Sequence, residues 1–300
     1  MSHLSPSASP KRLQAADPRL AALMQNILVD DDIDLAARCP ENPWPAFSAG
    51  ELEGCYRLAW QLLESGVSMD ATRGLVAEIT WHGTATAGQA ARFKLIRARF
   101  KHMRFICATC TEQHQYPGRL DRITRLMGNF QDAFKNGRRI RTLWRGFKLC
   151  LQLQGYFFGQ LRASIVSAPM SGLDSFRQFL EQENRYLAEN VQPGTRLTAR
   201  KFHGLRKIIS RRVALNDTRR VLCPSAHLDA ISCYLATING LMGNLHDELV
   251  LRQMQGELDY EHQLFDLPEE LASRIRVCLG LLLAPPLGSG QVQPRPAPAG

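Results

Sequence analysis

One phrase stands in the chain twice: "ITRLMGNFQDAF" at 123–134 and "INGLMGNLHDEL" at 238–249. Ile, Leu-Met-Gly-Asn and Asp recur in register, and Phe130 is answered by Leu245. Each copy lies downstream of a strongly basic stretch, "FKLIRARFKHMR" at 93–104 and "FHGLRKIISRR" at 202–212. In the first copy Ile123, Leu126, Met127, Phe130 and Phe134 recur at the spacing of a helix that buries one face. A chain that writes the same two segments twice, in the same order, is expected to fold as two related halves. At 300 residues, burying a sizeable core is no difficulty.

Helical spacing dominates elsewhere too, and no run of alternating β-branched residues argues for a sheet, so the expected class is all-α. Residues 1–17 are rich in Ser and Pro and read as a flexible N-terminus. Stretches 18–39 and 48–66 read as helices around the turn-rich "PENPWPAF"; residues 18–80 are expected to pack on the core or lead into it. The main helical domain is placed at 81–283, with halves of about 90–190 and 195–283. In the first half, helices are predicted over 91–112, 119–135, a long segment around 139–166, and 172–190. The second half has 197–220, 226–254 and a last helix near 267–283. The tail 284–300, "APPLGSGQVQPRPAPAG", lacks apolar residues to bury and is expected to be disordered. The predicted architecture is two pseudo-symmetric helical bundles side by side, with an N-terminal helical extension.

Charge is unevenly spread. Residues 92–220 carry 27 basic against eight acidic residues, a net +19, while 1–91 and 221–300 are each at −5. A basic centre concentrates anions at its surface. Along 93–107 the helical step places Phe93, Ile96, Phe100, Met103 and Cys107 on one apolar stripe, bordered by Lys94, Arg97, Lys101 and Arg104. No acidic residue lies between 92 and 111 to relieve those cations, although stacked like charges disfavour an isolated helix. A solvated face normally interleaves both signs, so the row is read as a site for an anion. His203 and Arg206 repeat the offsets of Lys94 and Arg97, and Lys207 and Arg211 form an i, i+4 pair slightly further round. Arg141, Arg145 and Lys148 could form a third row or an ordinary solvated face.

In the repeated phrase Gly128 and Asp132, and likewise Gly243 and Asp247, stand at i and i+4 away from the apolar face. Glycine there admits a neighbouring helix closely, and the carboxylate could hold an Arg from it. The competing reading is a helix end with a left-handed glycine. On the first reading the phrase is a structural device that positions the basic rows.

At these residues the chain resembles the CHAD family, the conserved histidine α-helical domain. Its halves each open with a basic helix of the form His-x-x-Arg-x-x-x-(Arg/Lys)-(Arg/Lys)-x-Arg, followed by a Leu-Gly-x-x-x-Asp type of helix. The second half is the closer match, with His203, Arg206 and Arg211 ahead of "LMGNLHDEL"; the first gives Arg97, Lys101, His102 and Arg104, with Lys94 where the family carries histidine. The resemblance spans about 90–255. It implies a non-catalytic protein whose basic groove binds inorganic polyphosphate, with no cofactor, on polyphosphate granules; the lack of an apolar signal core reads as a cytoplasmic location. The residues the resemblance points to are Lys94, Arg97, Lys101, His102, Arg104, His203, Arg206 and Arg211; helical spacing adds Lys207, with Arg141, Arg145 and Lys148 beside them. A linear phosphate chain offers charge without bases, so rows of Arg and Lys are the chemistry that fits it.

Rival readings remain. A basic centre suits nucleic acid, but no zinc-finger, RRM or KH signature is present, and Phe93 and Phe100 belong to the core stripe rather than to a stacking platform. A phosphate-handling or metal-dependent enzyme would draw on His102, His203 or His246, yet no P-loop or nucleophile elbow occurs. The acidic "LVDDDIDLAARC" could dock a protein partner or simply solvate a helix start. "CATC" at 107–110 lies on the apolar stripe and reads as buried free thiols rather than a metal site. No apolar run is long enough for a membrane span, and no signal core opens the chain.

Overall fold

The computed structural model describes residues 17–280. The flexible stretch expected over 1–17, apart from Asp17, and the tail expected over 284–300 lie outside the described residues. The described chain is all-α: eleven helices and one antiparallel pair of three-residue strands. The first half holds α2 (Ala49–Gly66), α3 (Met69–His82), α4 (Ala87–Cys110), α5 (Gly118–Lys135), α6 (Arg139–Gln152), α7 (Gly155–Val166) and α8 (Leu173–Asn190). The second holds β1 (Arg196–Thr198), α9 (Ala199–Leu222), α10 (Ala226–Met254), β2 (Leu264–Asp266) and α11 (Glu269–Cys278), while α1 (Pro18–Leu28) bridges the two.

The long basic helices begin where side chains satisfy their free N–H groups. Thr86 and Gln89 form a reciprocal capping box for α4, and the Thr198 hydroxyl accepts from the Lys201 N–H at the start of α9. The apolar stripe of α4 is buried as its spacing predicts: Phe93, Phe100, Met103 and Cys107 have no exposure. Phe93 sits edge-on to Phe130 at 5.4 Å and to Phe134 at 5.8 Å, so the first copy of the repeated phrase packs directly on the first basic helix. Around Phe202, Leu205, Ile209, Tyr234, Ile238 and Met242 the second half builds a separate core. Truncating Phe93 or Phe202 to Ala should cost about 3–5 kcal/mol. The two halves meet where α4 packs on α9.

Several boundaries differ from the sequence reading, each for a physical reason. The first helix ends at Leu28, not near 39; three consecutive aspartates at 30–32 oppose the negative end of a helix, and the backbone there bonds to α10 instead. Helix α3 had no place of its own in the expected order. It begins at the Ser68 cap and stops at Gly83, which takes a left-handed φ of 69°. With Leu52, Tyr56, Leu63, Val76 and Ile79 in the first core, α2 and α3 are integral to it. The long segment around 139–166 is two helices, broken at Leu153–Gln154. Strands as short as β1 and β2 leave no alternation to read.

Helices α5 and α10 run unbroken through Gly128 and Gly243. The helix-end reading of the repeated phrase is therefore excluded. No helix among the described residues is long and apolar enough to cross a membrane.

Candidate functional site

The two basic rows come together. Arg97 and Lys101 of α4 and Arg206 of α9 lie in each other's electrostatic field, and Lys207 of α9 lies in that of Arg104. Burial lowers the pKa of Arg97, with Arg104 and Arg206 pushing the same way against the nearby Asp132. Burial likewise lowers Arg206, which Asp247 of α10 opposes. Lys207 is lowered by burial and by Arg104. Burial is the largest cause of each shift; like-charge neighbours add to it for Arg97 and Lys207, while the charged neighbours of Arg206 oppose it.

The glycines of the repeated phrase seat the two arginines. A Cβ on Gly128 would stand 3.0 Å from the Arg97 Nη2, and one on Gly243 would stand 3.3 Å from the Arg206 Nη2. Arginine over glycine thus recurs in both halves, between corresponding helices. The carboxylates do less than the sequence suggested. Arg97 donates to the Gln131 Oε1 at 3.2 Å, and Asp132 is exposed and only a nearby charge. Asp247 stands in the same relation to Arg206.

Not every cation in the rows is free. Arg104 pairs with Asp121 at 3.0 Å and lies over the Tyr116 ring at 4.7 Å. Arg211 pairs with the buried Glu183 and donates to the Tyr116 hydroxyl at 2.6 Å. On balance its pKa is raised, because Glu183 and Tyr116 outweigh the effect of burial. Arg212, wholly inside, shares the same carboxylate at 3.2 Å and donates to the Leu180 carbonyl at 2.8 Å. Arg104 and Arg211 are therefore fixed by internal partners, a correction to their reading as free anion contacts. Lys94 is exposed, and Lys101 keeps 34% of its side chain open beside Asp30 at 3.9 Å.

His102 does not reach the basic face. It is 4% exposed, and its Nε2 lies 2.8 Å from the Thr218 Oγ1 of α9. Nine residues beyond Phe93 it points to the opposite side of α4, which a lone amphipathic helix would give to solvent; here α9 covers it. Burial first, and then Lys101, push its pKa down to about 3. His203 stacks on His246 of α10 with ring centroids 5.0 Å apart. Burial and neighbouring cations hold both near 4, neutral at pH 7. No third metal-ligating group joins them, since the described residues contain no cluster of three or more His, Cys, Asp or Glu.

Arg141, Arg145 and Lys148 are set apart. They lie on α6, which packs on α3 and α5, and the charges that most perturb Arg97, Lys101, Arg206 and Lys207 include none from α6. The third row does not extend the first two. Cys107 and Cys110 are buried free thiols; burial pushes Cys107 up to about 12.

The acidic rim of the cluster was not expected. After α1 the chain crosses α10: Asn239 donates to the Asp30 carbonyl at 2.8 Å, Thr237 donates to the Asp34 carbonyl at 3.1 Å, and Gly240 leaves room for Asp31 and Ile33. This strap brings Asp30 and Asp31 beside Lys101 and Arg206. Burial raises the Asp30 carboxyl although Lys101 pulls it down. The signal was the run "DDD" itself, complementary in charge to the basic rows. Compared with protein-family models, with curated proteins and with solved structures, the chain matches none.

Proposed function

We propose that this chain is a CHAD-type protein whose α4–α9 face binds inorganic polyphosphate without transforming it, in the cytoplasm or on polyphosphate granules. What carries the reading is one repeated arrangement: Arg97 over Gly128 and Arg206 over Gly243, each arginine within the field of the other. Lys94, Lys101 and Lys207 extend that pair along two helices, and the neutral His203 borders it. Arg104 and Arg211 brace the face rather than line it. A flexible thread of phosphates can meet cations spaced along two helices, with Arg gripping oxygens in pairs and Lys acting as a point charge. Phe93 and Phe100 are buried in the core rather than offered to bases, which favours polyphosphate over single-stranded nucleic acid.

The test is a titration with long-chain polyphosphate, single-stranded and duplex nucleic acid, and ATP, each at low and raised salt. Polyphosphate should bind well ahead of the others, with affinity falling steeply as salt rises because counterions are released. Arg97→Glu and Arg206→Glu should each weaken binding severalfold and lower the salt slope by roughly one or two units without unfolding the protein. Equal affinity for every polyanion would reduce the face to a generic basic surface. Release or transfer of phosphate would replace binding with catalysis.

A further inference from the structure

We infer that α6 is a peripheral membrane-docking helix that lies on anionic lipid. Between Asp132 and Asp174 the chain has no acidic residue and seven basic ones, five of them at Arg138, Arg139, Arg141, Arg145 and Lys148. On α6 the large apolar side chains face outward. Ile140 is 83% exposed, Trp144 60% and Phe147 57%, with Leu143 and Leu151 also exposed. With Arg139 at 0°, these five fall within an arc of about 40° to 140°, and Lys148, Arg141 and Arg145 follow at about 180° to 240°. Cations thus border the apolar stripe on both edges. Lys148 sits 4.4 Å over the Trp144 ring, the position of a cation that reaches toward headgroups above an apolar ring.

The remaining arc, Thr142, Gly146 and Leu149, is buried against α3 and α5. Gly146 lets α6 close onto Thr80 and Phe130, so the helix is held firmly by its inner face and the outer face cannot turn in. Next to its start, Gly83 touches Arg139, and two residues earlier Trp81 is 84% exposed. Burial in the fold does not account for these aromatic residues, and a solvated face would not carry them.

Charge complementarity selects the occupant. A second copy of the chain would set Arg139, Arg141, Arg145 and Lys148 against their own counterparts, which disfavours self-association. Side chains exposed this far form a ridge rather than a cleft, a shape suited to a flat surface. A helix with Trp, Phe and Leu on one face and Lys and Arg at its borders is the pattern that sits in the headgroup layer of an anionic bilayer. Each cation adds roughly fivefold to partitioning there. The site is separate from the α4–α9 face and does not depend on the polyphosphate reading.

Flotation of the full-length protein with vesicles of phosphatidylcholine alone, or with about a third phosphatidylglycerol, tests this. Binding is expected to the anionic vesicles and not to the zwitterionic ones. Trp144→Glu with Phe147→Glu should lower the partition coefficient at least tenfold, and Arg141→Gln with Arg145→Gln should lower it by roughly twentyfold, both with unchanged circular dichroism. Arg97→Glu with Arg206→Glu should keep vesicle binding, which separates this surface from the polyphosphate face. The inference is overturned if the wild type does not float, if it floats equally with both lipids, or if the α6 variants float like wild type. It is equally overturned if Trp144→Glu with Phe147→Glu abolishes a dimer, or binding to an acidic amphipathic peptide, in a protein that ignores vesicles.

Discussion

Replacing His102 with glutamine should change how the protein answers to acid while leaving polyphosphate binding intact. The imidazole titrates at about 3 in the folded chain, against about 6.5 when unfolded. A depressed folded value contributes stability that is present above pH 6.5 and is lost as pH falls toward 3. Asp217, next to the partner Thr218, runs the other way. Burial outweighs Ser232 and Arg220 and holds its carboxyl at about 7. Its contribution is therefore complete below the unfolded value of about 3.9 and is lost as pH rises through 7. Between those limits the two slopes, each about 1.4 kcal/mol per pH unit, oppose one another in the wild type. His102→Gln removes one slope. Integrated from pH 7 down to pH 4, the imidazole accounts for about 3 kcal/mol. Urea unfolding followed by circular dichroism should show the wild type losing that amount relative to the variant over this range. His203 and His246 titrate in both proteins and cancel in the difference. Parallel stability profiles would refute a buried neutral imidazole. A large loss of polyphosphate affinity in folded His102→Gln would return the residue to the ligand face.

Three further outcomes follow from the site. Gly128→Ala and Gly243→Ala should each weaken polyphosphate binding severalfold, because the new methyl displaces the Arg97 or Arg206 guanidinium from its seat. Thermal melts of the same variants should show no loss, and a helix-propensity gain of about 0.5–1 kcal/mol, since only the flexible tip of an arginine must give way. Asp30→Asn with Asp31→Asn should raise polyphosphate affinity about two- to tenfold in a direct titration, the scale of partly exposed ion pairs; unchanged affinity would mean the strap does not compete. Glu183→Gln should cost about 3–5 kcal/mol in urea unfolding, because it strands Arg212 without a counter-charge inside the protein.

The core face of α5 was legible in the sequence because its apolar residues recur on one side, and so was the stripe Phe93–Phe100–Met103–Cys107 of α4; α9 and α10 are buried on more than one side and carry no such one-sided pattern. Other features depend on partners distant in the chain. The wheel assigned one buried face to α4, yet α9 covers a second, and so His102 lies in the core. Arg104 and Arg211 looked free because Asp121 and Glu183, which neutralise them, come from different helices. The strap was misread as helix because "LVDDDIDLAARC" keeps apolar spacing, while its backbone bonds to Thr237 and Asn239, which local pattern does not encode.

The division of labour along α9 explains why a net +19 centre does not simply repel itself. Toward its C-terminal end Arg211, Arg212, Arg219 and Arg220 are tied to Glu183, Glu51 and Asp217 or to backbone carbonyls. These arginines join the halves: Arg219 reaches the Pro45 and Ala46 carbonyls, and Arg220 reaches Asn26 after α9 has passed beneath α1. Removing one would leave its carboxylate partner stranded, a cost set by desolvation rather than by ligand. Toward the N-terminal end His203 and Lys207 have neighbours of mostly the same sign, whereas Arg206 is depressed by burial against the opposing pull of Asp247, Asp31 and Asp30. One helix thus carries two kinds of cation, and the buried acid partner distinguishes them. Arg211, Arg212, Arg219 and Arg220 each form an ion pair within the chain, whereas among the described residues Arg97, Arg206 and Lys207 form none, and Arg206 has Asp30, Asp31 and Asp247 only as nearby charges.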